Sequence, residues 1–492
     1  MQILKTINLA CLLIISQSGF TNNGKISKQL ERELNNNESV ELYILLKNKY
    51  KVQQTSSKDR ISHLKNIILQ LKANSQASKD KLNSLLPSLT KDYEFYWVNN
   101  SLRIKMDSQQ ARDFILSDSI LKAYSNTAQR LKVITEKTQA NAIHATGWNI
   151  NMINAPQVWN QGIKGQNVVI AGQDTGYQWQ HESIKNKYAG WNGIIVDHNY
   201  HWHDAINNPI IDCLDAQSNP ESCDDHGHGT HTMGTMIGDD GQGNQIGVAP
   251  DAKWIGCRNM DRGSGTPATY TECFQFFLEP TDLNDSNPDV SKAPHIINNS
   301  WGCDFSEGCI QPDALESVVN NVVAAGILVV ASAGNSGPGC NSINTPIAIY
   351  NKSLTIGSTT SSDTISSFSS QGAITVDGSN RIKPDLVAPG SSVRSADVNG
   401  GYVSFSGTSM AAPHVAGVAA LMISANPAMA GKPKILKHIL LRSSIAKTSQ
   451  QTCSGILGSQ RPNNTYGWGR LDALAAVNQI KDIIFFDNYE DF

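Results

Sequence analysis

Apolar positions along this chain change their spacing near residue 148. Before that point the runs are short. Val40–Leu46 alternates as a strand does, and Ile61, Leu64, Ile68 and Leu71 recur at helical spacing, extended by Asp80–Leu86. Tyr93–Val98, the pair Asn99-Asn100 and Ser101–Met106 read as a β-hairpin. A helix over Asp107–Leu116 and a strand over Ile120–Ala123 complete a β-α-β-β-α-β order. That order predicts a small α+β, ferredoxin-like unit over 25–125, with one sheet face exposed. Residues 126–147, rich in Thr, Gln, Asn and Ala, read as a linker.

From 148 to 478 apolar strands alternate with helices and Gly-rich turns. Strands are expected at Asn167–Ala171, Lys253–Gly256, His295–Asn298, Ile327–Ser332 and Ser353–Ile356. Helices are expected at Gly229–Ile237, Thr271–Leu278, Pro312–Ala325 and Ser409–Ser424. Such alternation predicts an α/β domain whose mostly parallel sheet is covered on both faces. Functional groups in such sheets gather beyond the carboxyl ends of the strands.

Composition narrows the classes. With 492 residues, 40% hydrophobic and 17% charged, the chain has room for two globular domains, and a net charge of −3 points to no nucleic-acid or anionic-membrane partner. No run reaches the roughly 18–20 apolar residues of a membrane span. Lys5, the apolar run Ile7–Ile15 and Ser16-Gln17-Ser18-Gly19 have the form of a secretory signal peptide over 1–18. Apart from Cys11, eight cysteines lie between Cys213 and Cys453, an even count that suits disulfides in an oxidising compartment. Short spacing favours Cys213–Cys223, Cys257–Cys273 and Cys303–Cys309, leaving Cys340–Cys453, although eight cysteines allow many connectivities. A zinc site is the alternative, and no Cys-x-x-Cys pair supports it.

Four stretches carry candidate chemistry. In Gly407-Thr408-Ser409-Met410-Ala411-Ala412-Pro413-His414, a serine opens a helix whose buried face is Val415, Val418, Ala419 and Met422. A helix N-terminus favours negative charge, as an acyl-transfer nucleophile requires. Asp174, in Gly172-Gln173-Asp174-Thr175-Gly176, could orient a histidine, bind a metal or cap a turn. In Asp224-Asp225-His226-Gly227-His228-Gly229-Thr230-His231, His228 is a candidate general base, while His226, His228 and His231 together offer a metal reading. Asn335, after the strand ending Ala331-Ser332-Ala333-Gly334, either holds a turn or aims its amide at an oxyanion, and Asn298-Asn299-Ser300-Trp301-Gly302 closes another strand. Two further groups are weaker. His198, His201 and His203 beside Asp204 read as a half-buried strand in preference to a metal site, and Asp239, Asp240 and Asn244 as a solvated turn or a calcium loop.

Asp174, His228 and Ser409 in that order, within these motifs, resemble the subtilisin-like serine proteases. Trp202-His203-Asp204-Ala205 and Gly467-Trp468-Gly469-Arg470 look most like the bacillopeptidase F-type branch, as do the segments around Ser300 and Asn335. The resemblance implies a secreted endopeptidase, expected to be a monomer, acting on protein or peptide substrates. Ser409 would be the nucleophile, His228 the general base, Asp174 its orienting carboxylate, and Asn335 the oxyanion donor with the Ser409 N–H. Ser300, Trp301 and Gly302 would pair with the substrate strand, with Ala333 and Gly334 forming another wall. The front unit resembles the subtilase propeptide, an intramolecular chaperone and inhibitor removed by self-processing in the linker. No cofactor is required for this chemistry, and structural calcium, which the family often carries, is assigned to no residues. The tail, 479–492, has no assigned role.

Overall fold

The computed structural model describes residues 25–53, 59–83, 86, 90–131, 134–140, 146–206, 220–302 and 312–481. The expected signal peptide, Cys213, Cys303, Cys309 and most of the tail lie outside these residues. In the first part, α1 (Lys28–Asn36), β1 (Ser39–Leu46), α2 (Arg60–Leu82), β2 (Tyr93–Tyr96), β3 (Ser101–Asp107), α3 (Ser108–Ile115) and β4 (Ile120–Ser125) succeed one another. The strands form an antiparallel sheet in the order β2-β3-β1-β4, the ferredoxin-like arrangement. Helix α1 was not foreseen; Ser27 caps it by accepting from the Leu30 N–H. Two short strands follow, β5 (Gln129–Arg130) and β6 (Ile134–Ala140).

The larger part is built on a seven-stranded sheet. Its strands are β7 (Val169–Asp174), β8 (Trp202–Asp204), β9 (Lys253–Arg258), β12 (Ile296–Asn299), β13 (Leu328–Ser332), β14 (Leu354–Thr359) and β15 (Leu386–Pro389), with the small pair β10 (Met260–Asp261) and β11 (Ser264–Gly265) beside it. The order is β15-β14-β13-β12-β7-β9-β8, and every pairing in it is parallel. Since the chain runs from β7 to β9 on one side and returns to β12 on the other, the order reverses between β7 and β12. That reversal opens a crevice at the carboxyl ends of these two strands. The longer helices are α4 (His228–Ile237), α5 (Pro267–Leu278), α6 (Glu316–Ala324), α7 (Thr408–Ala425), α8 (Pro433–Arg442) and α9 (Ala473–Lys481), and the hairpin of β16 (Val393–Ala396) and β17 (Tyr402–Ser406) leads into α7. Helix α7 lies across β12–β15 and against α4. Long and apolar enough to cross a membrane, α7 is instead a core helix, 89% buried inside the molecule.

The two parts share a core. Alternation along β1 sends Val40, Leu42, Ile44 and Leu46 into the front unit's own interior and turns Tyr43 and Leu45 the other way. The sheet face expected to be exposed is covered: Tyr43, Leu45, Tyr96, Val98 and Tyr124 pack with Phe274 and Phe277 of α5 and Val318 and Val322 of α6. The stripe Leu64, Ile68 and Leu71 joins the same cluster. Polar contacts fix the register. Tyr43 Oη and Thr271 Oγ1 are 2.8 Å apart, the Trp97 N–H donates to Gln275 Oε1 (2.7 Å), and Asn321 Nδ2 donates to the Val98 carbonyl (2.7 Å).

Within 126–147, the expected linker, residues 129–130 pair with β11 and 134–140 with β17, both antiparallel. Composition does not announce these strands because pairing at a sheet edge is made by backbone groups and needs no apolar side chains. Of the expected disulfides, Cys257–Cys273 ties β9 to α5, and Cys340–Cys453 closes a span of 113 residues.

Candidate active site

Asp174 ends β7 and His228 opens α4, and two glycines let them meet. A Cβ on Gly229 would stand 2.0 Å from the Gly176 carbonyl oxygen and 3.1 Å from Asp174 Cβ. Gly176 has φ +104°, and a Cβ there would meet the Cys223 carbonyl at 1.9 Å. The resulting contact is His228 Nδ1 to Asp174 Oδ1 at 2.7 Å, both side chains 1% exposed. The same Oδ1 accepts from the Thr175 N–H at 2.8 Å, while Oδ2 is buried without a partner among the described residues.

Asp224 fastens the two elements together, a role its sequence motif does not announce. Its Oδ1 accepts from the Thr175 hydroxyl (2.8 Å) and the Gly227 N–H (2.8 Å), and its Oδ2 from the Thr230 N–H (2.9 Å) and hydroxyl (2.7 Å). One carboxylate therefore holds the turn after Asp174 and caps the helix that begins with His228. Beneath them a buried amide chain crosses three strand ends: Asn259 Nδ2 to Gln173 Oε1 (3.0 Å), then Gln173 Nε2 to Asn299 Oδ1 (2.6 Å).

Ser409 stands in the first turn of α7, 5% exposed. Its hydroxyl donates to the Ser300 carbonyl at 2.9 Å, and the Ser300 hydroxyl donates back to the Ser409 carbonyl at 2.9 Å. His228 Nε2 makes no hydrogen bond among the described residues, so the serine hydroxyl rests on Ser300 and not on the imidazole.

Asn335 follows β13. Its Oδ1 accepts from the Thr408 N–H (2.9 Å) and the Thr408 hydroxyl (3.0 Å). A backbone N–H can only donate, so the amide oxygen faces Thr408 and the amino group is turned the other way. A Cβ on Gly407 would lie 3.5 Å from Asn335 Nδ2 and 3.6 Å from the Ser409 nitrogen, which locates both donors around one small space left open by the glycine. Thr408, which the motif supplies only as a small residue, is thus what orients Asn335; its hydroxyl also accepts from the Gly334 N–H (3.1 Å).

Leu131, Trp301, Gly302, Gly334, Asn335 and Ser409 line one pocket. Trp301 stacks on Tyr270 with ring centroids 3.9 Å apart. Ala333 is buried in the core behind this wall and does not line the pocket. Leu131 was not singled out in the sequence. Its N–H donates to the Gly263 carbonyl at 2.6 Å, and a Cβ on Gly263 would stand 3.5 Å from Leu131 Cβ and 3.7 Å from His226 Cδ2.

The other candidate groups have local partners. His231, buried and stacked on Phe405, is paired through Nε2 with the Val393 carbonyl (3.0 Å), and burial pulls its pKa down to about 3. His198 meets the Tyr188 hydroxyl (2.9 Å), His201 the Asp197 carbonyl (3.1 Å) and His203 the carboxylate of Glu272 (2.8 Å). Asp240 accepts from the Gln242 and Asn244 N–H groups, Asn244 Nδ2 and the Tyr402 hydroxyl, a turn closed by its own hydrogen bonds. Among the described residues no cluster of three or more His, Cys, Asp or Glu is arranged to hold a metal ion.

The subtilase family profile matches residues 165–469. The chain belongs to the subtilase family, the subtilisin-like serine proteases. Among its relatives, Bacillopeptidase F of Bacillus subtilis is 33% identical over 405 residues, which are 79% of this chain and 26% of that protein. The chain therefore spans about a quarter of that relative. The major intracellular serine protease of Bacillus subtilis is 33% identical over 56% of this chain and 74% of its own length. Subtilisin Savinase of Lederbergia lenta is 30% identical over 67% of the chain and 98% of its own length. Among solved structures, the epidermin leader peptide processing serine protease of Staphylococcus aureus covers 91% of this subtilase at TM-score 0.63 and 19% identity, a likeness of fold.

Proposed function

We propose that this subtilase is an exported serine endopeptidase made as a precursor, with Asp174, His228 and Ser409 as its triad. The observation that carries the reading is the buried Asp174–His228 pair at 2.7 Å, held in the same domain as a serine at the start of a buried helix. Ser409 Oγ leaves the Ser300 carbonyl, passes its proton to His228 Nε2 and bonds to the carbonyl carbon of the scissile peptide. Asp174 keeps Nδ1 protonated and stabilises the imidazolium. The negative oxygen is held by the Asn335 amino group and the Ser409 N–H. Collapse breaks the C–N bond, the amine leaves with the proton from His228, and water, deprotonated by the same imidazole, hydrolyses the acyl-enzyme. Ser300, Trp301 and Gly302 edge the substrate strand, and Gly334 closes the opposite wall of the pocket.

Residues 25–125 act as the inhibitory and chaperoning propeptide. Support comes from the way their sheet face covers α5 and α6 with a shared apolar core. The apolar run and small-residue pattern before Gly19 support export. The test is Ser409→Ala in the full precursor: it should accumulate uncut while wild type is processed. Normal processing of that variant would mean that Ser409 does not carry out the cleavage.

A further inference from the structure

We propose, resting on that reading, that the pocket beside Ser409 selects a carboxamide, the side chain of asparagine or glutamine, on the residue whose carbonyl is attacked. Asn344 and Thr345 are the residues that recognise it. The pocket that holds Ser409 and Asn335 is bordered by Ser332, Ser336, Ser342, Asn344, Thr345 and Ser370, and among the described residues no charged one lines it. The carbonyl held by Asn335 carries its own Cα one bond away, so the side chain entering the pocket is that residue's. Two atoms of this wall, Asn344 Oδ1 and Thr345 Oγ1, are buried with no hydrogen-bond partner among the described residues. Thr345 is 4% exposed. Buried polar atoms are ordinarily paired, because leaving one alone forfeits its hydration. A Cβ on Gly302 would stand 2.9 Å from Thr345 Oγ1, so the glycine that edges the substrate strand also keeps the space before this hydroxyl open.

The loop that carries the two residues is fixed from behind. The Ser342 and Ile343 N–H groups donate to the Gln371 carbonyl (2.9 and 3.1 Å), and the Gln371 N–H donates to Ser342 Oγ (2.9 Å). Asn341 Oδ1 accepts from the Ala373 N–H (3.0 Å) and the Ser454 hydroxyl (2.9 Å), and the Cys340–Cys453 disulfide ties down the start of the loop. The hydroxyls of Ser342 and Ser370 are engaged within the wall, Ser342 donating to the Gly339 carbonyl (2.7 Å) and Ser370 accepting from the Ser336 N–H (3.0 Å). Asn344 and Thr345 are left for a ligand. An ammonium, guanidinium or carboxylate would be desolvated there with no opposite charge in the wall. Leucine has nearly the shape of asparagine and would leave both atoms unpaired. A carboxamide carries a donor and an acceptor together. Its amino group donates to Asn344 Oδ1, and its oxygen accepts from the Thr345 hydroxyl.

The experiment has two arms. Processed wild-type enzyme is given peptides of one sequence that differ only in the residue before the scissile bond: asparagine, glutamine, leucine, aspartate or lysine. The better carboxamide peptide should be cut with kcat/KM at least about tenfold above the leucine, aspartate and lysine peptides. In the second arm the same ratios are measured within Asn344→Ala and within Asn344→Asp, where they do not depend on how much of each variant is folded. Asn344→Ala should lower the carboxamide-to-leucine ratio at least about fivefold, and Asn344→Asp should raise the lysine-to-carboxamide ratio at least about tenfold. The wild-type ratios decide the substrate class even if neither variant folds. A leucine peptide cut as fast as both carboxamide peptides, or ratios unmoved in both variants, overturns the inference and leaves the protease reading intact. Failure to cut any peptide, together with no phosphonate labelling of Ser409, overturns both.

Discussion

Thr408→Val isolates how the oxyanion donor is positioned. Valine keeps the shape of Thr408, which is fully buried, and removes its hydroxyl. Two hydrogen bonds are lost: the one to Asn335 Oδ1 (3.0 Å) and the one from the Gly334 N–H (3.1 Å). The Thr408 backbone N–H still holds Asn335 at 2.9 Å, so the amide loses one of two anchors. A neutral hydrogen bond contributes about 1 kcal/mol net, and each factor of ten in rate is ~1.4 kcal/mol. The expected result is a kcat lowered about five- to fifteenfold with KM nearly unchanged, since the donor acts on charge that develops after binding. Removing the donor by Asn335→Ala should cost more, about 10²–10³ in kcat, the range known for loss of one such donor in subtilisin. Because Thr408 acts through Asn335, the double variant should be no slower than Asn335→Ala alone. Steady-state kinetics on a peptide substrate, with a thermal melt of each variant to confirm folding, make the measurement. A further tenfold loss in the double variant, or unchanged kcat in Thr408→Val, would refute the positioning argument.

Gly229→Ala should drive a methyl into the Gly176 carbonyl, destabilising the fold by about 1–3 kcal/mol and lowering activity at least a hundredfold by spreading Asp174 from His228; full activity would contradict the close-approach account. Asp224→Asn keeps the size of the clamp and weakens its grip on Thr175 and Thr230, so kcat should fall about tenfold while the protein still folds, and an unchanged rate would remove Asp224 from the site. A pH effect is expected at the junction of the two parts. Burial pushes Glu272 up to about 7 from its ordinary 4.5. His203 also stands above its ordinary value, burial being outweighed by its bond to Glu272 and by the charges of Glu272 and Asp285. Both groups hold protons in the folded protein that the unfolded chain releases, so their contribution is present at low pH and lost as pH rises through about 5 to 8. Lys72, Lys79, Glu94 and Glu279 line the same cavity, about 410 Å³, and ionising Glu272 there adds to the charge of Glu94. Thermal melts of the precursor across that range should show wild type losing stability relative to Glu272→Gln, and parallel curves would exclude the pair as the cause.

Much of the fold is legible in the sequence because the sheet is parallel and buried on both faces. Its strands then read as short apolar runs, and β7, β9, β12, β13 and β14 overlap the expected segments. Strands β16 and β17 escape, since Val393-Arg394-Ser395-Ala396 and Tyr402-Val403-Ser404-Phe405 are too short and mixed to separate from loops. The motifs point to Asp174, His228, Asn335 and Ser409 because each sits beside glycines or small residues at a strand or helix end. They do not reveal Thr408 and Asp224 as positioning residues, since hydrogen bonds to side chains distant in sequence leave no local pattern. Leu131 and β5 are hidden for a different reason. A strand added to an open edge is specified by the edge that receives it, and its own residues can be almost anything.

The central claim is that Ser409 is the nucleophile and that His228 activates it. It is tested most directly by treating processed wild-type protein with a peptide phosphonate and locating the adduct by mass spectrometry. His228→Ala is processed in trans and treated alongside. The account requires a stoichiometric adduct on Ser409 in wild type, and labelling slowed at least a hundredfold in the histidine variant. An unlabelled Ser409 in protein that still cuts peptides, or equal labelling without His228, would contradict it.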